Sequence, residues 1–151
     1  MLCSHGIETE REENGIERDF LLSWDETEVF FRSANICQEQ KVLNLISELR
    51  QRGYDKTLRA GQGMYNFMLS RSKQWGLRLD QPHITFNLTD WHYAWRHSEA
   101  RSKLGVPYSF PTTIDIYLCN MNSEEKLTIS DIQFTPEIDT ILKQLESFPI
   151  D

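Results

Sequence analysis

The sequence has no long apolar run and only three cysteines. No stretch of this 151-residue chain approaches the roughly 18 consecutive apolar residues of a transmembrane helix, and the first residues lack the basic and apolar regions of a secretory signal. Cys3, Cys37 and Cys119 form no CxxC pair, and an odd, scattered set is typical of a reducing compartment. These absences predict a soluble cytoplasmic protein with no membrane partner.

No motif specific to an enzyme family is present. Gly61 and Gly63 lack the third glycine of a dinucleotide-binding loop and the Lys-Ser/Thr pair of a P-loop. The segment Glu39-Gln40-Lys41 matches the ExK fragment of some metal-dependent nucleases, but it falls in a predicted helix rather than on the strand that such a site needs. We therefore predict no catalytic residues and no cofactor, and a function other than catalysis is favoured.

Three histidines and one cysteine are candidate metal ligands or reactive groups. His83, His92 and His97 lie within fifteen residues of one another. On a helix, however, His92 and His97 stand about 140° apart, because each residue turns the helix by roughly 100°, so they cannot chelate one ion as an i, i+4 pair could. Cys37 lies near a predicted helix N-terminus, where a thiol pKa can fall, although a buried structural cysteine is the commoner role. We predict no metal site.

Charge is distributed unevenly along the chain, whose net charge is −7. The balance is −6 over residues 1–35, +5 over 36–105 and −6 over 106–151. Either the segments neutralise one another in the fold, or the basic middle forms a positive surface for a phosphate-bearing or acidic partner. Possible anion-binding residues near the two glycines are Arg59, Arg71, Lys73 and Arg78, and a nucleic-acid interface would add Arg96 and Arg101.

Hydrophobic periodicity predicts three helices. Residues 36–52 have apolar side chains at i, i+3, i+4 and i+7, with Gly53 at the end. A second helix is predicted over 55–75, although two internal glycines each cost roughly 1 kcal/mol there. Thr135 is expected to cap a third, C-terminal helix. Residues 90–104 are compatible with either a helix or an ordered loop.

Alternating apolar and polar residues predict the strands. Two short strands are expected over 20–24 and 29–31, and longer ones over 82–89 and 112–119. A last strand, 126–134, changes phase near Ser130, where we expect a bulge.

The predicted fold class is α+β, a mostly antiparallel sheet of about four or five strands packed against two or three helices. Residues 19–151 are predicted to form this single domain. Residues 1–18 are acidic and poor in apolar side chains, so we expect a flexible N-terminal tail.

Residues 90–97 interleave aromatic side chains with cations. Such a pattern can stack on nucleic-acid bases or anchor a protein interface, and tryptophans of this kind can also belong to the edge of the core. The leading hypothesis is a protein-interaction or regulatory module that binds another protein or binds itself, as a homodimer would. Its predicted interaction residues are Trp91, Tyr93, Trp95 and Arg96.

Two alternatives stay open. The first is binding of nucleic acid or of a phosphate-bearing ligand through residues 36–105. The second is an enzyme or ligand-binding domain with a site near His83, Asp90 and His92, because a carboxylate and imidazoles at the end of one strand could transfer protons.

Overall fold

The chain begins with one long helix. In the computed structural model, which describes residues 2–73, 80–105 and 113–151, helix α1 spans Leu2–Ser33. Phe20, Trp24 and Phe31 are fully buried, whereas Leu22 is 50% exposed. The two strands predicted over 20–24 and 29–31 are therefore wrong, because the buried residues recur at helical spacing and the apparent alternation between positions 20 and 24 does not correspond to burial. Residues 2–18, predicted as a flexible tail, are helical as well, and their mobility stays a prediction.

Two more helices follow. Helix α2 spans Glu39–Gln51 and buries one apolar stripe against the core, as predicted. It starts later than position 36 because Asn35 and Gln38 have φ angles of 50° and 56°, which interrupt a right-handed helix. Gly53, at a φ of 87°, follows the end of helix α2, as predicted. The short helix α3 then spans Tyr54–Thr57.

The helix predicted over 55–75 is wrong from Leu58 to Lys73, and its last two positions, 74 and 75, lie outside the described residues. Strand β1 spans Arg59–Gly63 and strand β2 spans Asn66–Ser70, and the two form an antiparallel hairpin. Met64 and Tyr65 make its two-residue turn, with Met64 at a φ of 60°. Glycine disfavours helix, and burial of alternate residues of this hairpin beneath α1 stabilises a strand.

The sheet is completed by the second half of the chain. Strand β3 (His83–Phe86) is followed by helix α4 (Thr89–Lys103), strand β4 (Ile114–Asn120), strand β5 (Ser123–Ile129) and helix α5 (Pro136–Glu146). Neighbouring strands are antiparallel and lie in the order β1-β2-β3-β4-β5, which confirms the α+β class.

Two predictions for the C-terminal part of the chain have different outcomes. Strand β5 ends at Ile129, so the bulge expected near Ser130 is wrong: the change of phase marks the end of the strand. Helix α5 begins as predicted, since Thr135 Oγ1 accepts a hydrogen bond from Ile138 N at 3.2 Å.

The core lies between one face of the sheet and the helices. Because side chains alternate across a strand, every second residue of β2, β3 and β4 faces the core. Fully buried examples are Phe67, Leu69, Ile84, Phe86 and Ile116. Among the described residues, no helix combines the length and hydrophobicity needed to cross a bilayer.

Candidate interaction surface

The β1–β2 turn is hydrogen-bonded to the start of helix α4. Asn66 Oδ1 accepts a hydrogen bond from Thr89 N at 2.9 Å, and Tyr65 N donates to Thr89 Oγ1 at 3.1 Å. Asn87 and Asp90 exchange two further hydrogen bonds, of 2.9 and 3.4 Å. Two of these bonds satisfy the backbone N–H groups of Thr89 and Asp90, which have no partner within the first turn of the helix itself. The turn and α4 therefore hold a fixed relative position.

Aromatic rings meet at this junction. The ring of His92 lies 4.1 Å from that of Tyr65, and the Trp95 and Tyr93 rings lie 5.7 and 6.0 Å from it. Tyr65 also contacts Tyr93 edge-on at 6.1 Å and Phe30 of α1 at 6.5 Å. Elements distant in sequence thus contribute to one cluster. We call its solvent-facing part the aromatic surface, formed by Phe30, Tyr65, Tyr93 and Trp95, and we include Met64 because it precedes Tyr65 in the turn and is exposed.

Exposure differs among the residues predicted to bind a partner. Tyr93 is 52% exposed and Trp95 is partly buried against the core. Trp91 is only 7% exposed, and its Nε1 donates to Cys37 Sγ at 3.1 Å. Met64, which the sequence analysis did not identify, is 68% exposed. Trp91 therefore belongs to the core, whereas Tyr93 and Trp95 lie on the aromatic surface.

His92 forms the floor of the cluster. It is 3% exposed, and its Nδ1 makes no hydrogen bond to any residue that the structure describes. Burial, and to a smaller extent the positive charge of Arg96, lower the pKa of His92 below its usual value. The imidazole is therefore neutral near pH 7 and supports the rings of Tyr65 and Trp95 by stacking.

Opposite charges border the aromatic surface. Arg96 lies one helical turn beyond Tyr93, is exposed, and has its guanidinium carbon 5.9 Å from the centre of the Trp95 ring. Glu26 lies one turn before Phe30 on α1 and is also exposed. A cation thus lies on the α4 side and a carboxylate on the α1 side.

Two of the predicted anion-binding residues are bonded to backbone carbonyls. Arg59 Nε donates to Ser72 O at 2.8 Å, and Arg71 donates to Phe148 O and Thr57 O at 2.9 and 2.7 Å. Burial lowers the pKa of both guanidinium groups. Their contacts tie chain segments together rather than converge on a ligand position. Arg78 and the side chain of Arg101 lie outside the described residues, and anion binding through Lys73 stays a prediction.

The residues of the predicted acid–base site occupy different surroundings. His83 is buried and its Nδ1 is 2.8 Å from Gln81 O, Asp90 is paired with Asn87, and His92 lies in the aromatic cluster. Within the described part of the chain, no group of three or more His, Cys, Asp or Glu residues could hold a metal ion. Burial raises the pKa of Cys37 to about 11, which disfavours a reactive thiolate.

Comparisons with known proteins add no relative. No protein-family model matches this chain, and neither a curated protein nor a solved structure matches it. The functional conclusion rests on the residues and their geometry.

Proposed function

We propose that this protein is a non-catalytic interaction module that pairs with a second copy of itself through the aromatic surface. The observation that carries the proposal is the exposure of Tyr93 and Met64 beside the half-buried rings of Tyr65, Trp95 and Phe30. Tyrosine, tryptophan and methionine are enriched in protein interfaces, where a few aromatic anchors contribute most of the binding energy.

The rigidity of this surface supports its role as an interface. Hydrogen bonds from Asn66 and Thr89 fix the β1–β2 turn against α4, and His92 supports the rings from below. Because the turn and the half-buried rings are already held in place, association costs less conformational entropy than it would for a mobile segment.

The charges at the border favour a second copy as the partner. In a two-fold symmetric pair, each surface meets the same surface on the other copy, so a contact between two residues occurs twice. A pairing that crosses α1 of one copy with α4 of the other brings Glu26 to Arg96 in both places. Such charge pairs at a rim add little affinity, but they set orientation and disfavour other partners.

The two free cysteines that the structure describes, Cys37 and Cys119, support a reducing compartment. We therefore place the protein in the cytoplasm as part of the same proposal.

Truncation of an anchor residue tests the aromatic surface. We expect Tyr93→Ala to raise the dimer dissociation constant by at least about tenfold, which corresponds to roughly 1.4 kcal/mol. The measurement is sedimentation equilibrium over a concentration series. Since Tyr93 is half exposed but contacts the rings of Tyr65 and His92, we expect the free energy of unfolding to fall by no more than about 1 kcal/mol.

The matched control is Met121→Ala. Met121 is 82% exposed at the β4–β5 turn, outside the aromatic surface, so its truncation removes a comparable exposed apolar side chain and should leave association unchanged. Equal dissociation constants for the Tyr93 variant and the unmodified protein would contradict the proposal. Binding of a different protein at this surface, without self-association, would also do so.

A further inference from the structure

A groove runs along helix α5 on the core-side face of the sheet. Its apolar floor is formed by Ile116, Leu127 and Ile141, and its volume is about 310 Å³. A neighbouring cavity of about 230 Å³ shares Glu125 and Gln144 with it. The two cavities are therefore parts of one elongated depression beside the last strand.

Strand β5 forms the rim of this groove and the edge of the sheet. Within the described residues, β4 is the only strand that pairs with β5. Along an edge strand, alternate backbone N–H and C=O groups point outward and can pair with another extended chain. Residues 123–126 are all exposed, so the outer edge of the strand is accessible.

Two carboxylates line the groove. Glu125 lies opposite Leu118 in the sheet, on the core-side face, and Glu137 lies in the first turn of α5. Neither carboxylate makes an ion pair or hydrogen bond with another residue that the structure describes. Lys126 contributes to the rim, but it lies opposite Tyr117, and alternation directs its side chain to the other face of the sheet. The groove thus combines an apolar floor with two carboxylates that form no ion pair with any cation in the described part of the chain.

We propose that the edge of β5 accepts an extended segment of a partner protein as a sixth strand of the sheet, with a basic side chain toward Glu125 and Glu137. Residues two apart on the added strand project to the same face, separated by roughly 7 Å. If a basic residue of the added strand lies beside the carboxylates, the residue two positions away lies over Leu127 and Ile141. An apolar side chain fits that second position. The partner segment would therefore be an extended chain with basic and apolar side chains on the face toward the groove. It would bind by strand addition.

A second copy of this chain does not fit the same edge. In an antiparallel β5–β5 pair the second copy would supply no basic residue on the core-side face, and a pairing centred on Glu125 would place the two Glu125 carboxylates opposite each other. Like charges on neighbouring strands are destabilising. The charge of the edge therefore favours a basic segment from a different protein, so this groove and the aromatic surface serve different partners.

A designed peptide tests the proposal on the full chain. The probe is a capped nine-residue peptide in which Lys and Ile alternate on one face and Thr occupies the other positions, and the dissociation constant is measured by calorimetry. We expect saturable binding that the double change of Glu125→Gln and Glu137→Gln weakens by at least about tenfold. The matched control is Glu124→Gln, which removes a carboxylate from the adjacent residue on the other face and should change affinity less than about twofold.

Two further measurements separate strand addition from simple charge attraction. A peptide with Glu in place of Lys should bind at least about tenfold more weakly. Amide hydrogen exchange should slow at alternate residues of β5 when the Lys peptide is bound, because strand addition protects outward N–H groups. Gln144→Trp, which fills the groove from the exposed side of α5, should weaken binding without removing a charge.

Several results would overturn the proposal. They are the absence of saturable binding at millimolar peptide, equal affinity for the Lys and Glu peptides, and protection located at the aromatic surface instead of β5. Loss of self-association in the Glu125 and Glu137 variant would likewise overturn it, since a second copy would then occupy the groove.

Discussion

His92 is an imidazole packed against the rings of Tyr65 and Trp95, and its Nδ1 makes no hydrogen bond to the described residues. Its pKa is lowered in the folded protein by burial and by Arg96, so the unfolded chain takes up a proton at a higher pH than the folded one. The stability contributed by neutral His92 is therefore fully present above its unfolded pKa of about 6.5 and is lost as pH falls through the folded pKa.

We expect the free energy of unfolding to decrease between pH 7.5 and pH 5, and to decrease less in His92→Phe, which keeps a stacking ring and cannot titrate. Urea unfolding across this pH range measures the effect. His97→Phe is the control, because it makes the same substitution at an exposed histidine of the same helix and leaves the contacts of His92 in place. Identical pH profiles for the His92 variant and the unmodified protein would show that another group dominates.

Arg50 joins three helices. Its Nη1 lies 2.8 Å from Asp25 and 3.2 Å from Glu28, both on α1, and its Nε lies 3.0 Å from Asp55 on α3. Burial acts to lower the pKa of Arg50, but the hydrogen bonds with these carboxylates outweigh it and raise the pKa. Because α1 was not predicted as a helix at this position, sequence analysis could not identify this contact.

Removal of Arg50 should loosen the packing of these helices. We expect Arg50→Met to reduce the free energy of unfolding by about 2–3 kcal/mol, because Asp55, 7% exposed, would keep a charge without its cation. Arg32→Met is the matched control: Arg32 lies 3.7 Å from Glu28 with its side chain 63% exposed, so its loss should cost less than about 0.5 kcal/mol. Urea denaturation distinguishes the two, and equal losses would contradict the role given to Arg50.

Local sequence signals predicted some elements well and others poorly. Helices α2 and α5 have a clear apolar stripe and terminal residues such as Gly53 and Thr135, so they were predictable. The β1–β2 hairpin contains apolar residues at spacings that also fit a helix, and burial against α1 decides between them. Tyr93 and Trp95 could be identified as an aromatic cluster, but Tyr65 could not, since it reaches α4 only through the hairpin turn.

At the scale of the whole molecule, part of the uneven charge is neutralised within the fold. Asp25, in the acidic N-terminal segment, pairs with Arg50 of the basic middle, and Lys41 of the middle lies 2.9 Å from Asp131 in the acidic C-terminal segment. These pairs support the explanation that the segments neutralise one another. Glu26 and Arg96 are both exposed at the borders of the aromatic surface, and the charge of Glu26 acts on Arg59 within the fold; in the pair that we propose, Glu26 would also meet Arg96 of a second copy.

The most direct test of self-pairing uses two charge-reversed variants, Arg96→Glu and Glu26→Arg. In a two-fold pair, each variant alone would bring like charges together twice, so each should dimerise at least about fivefold more weakly than the unmodified protein. An equimolar mixture restores both opposite-charge contacts, so we predict that sedimentation equilibrium will show dimers of one variant with the other. A mixture that associates no better than its separate components would contradict the account.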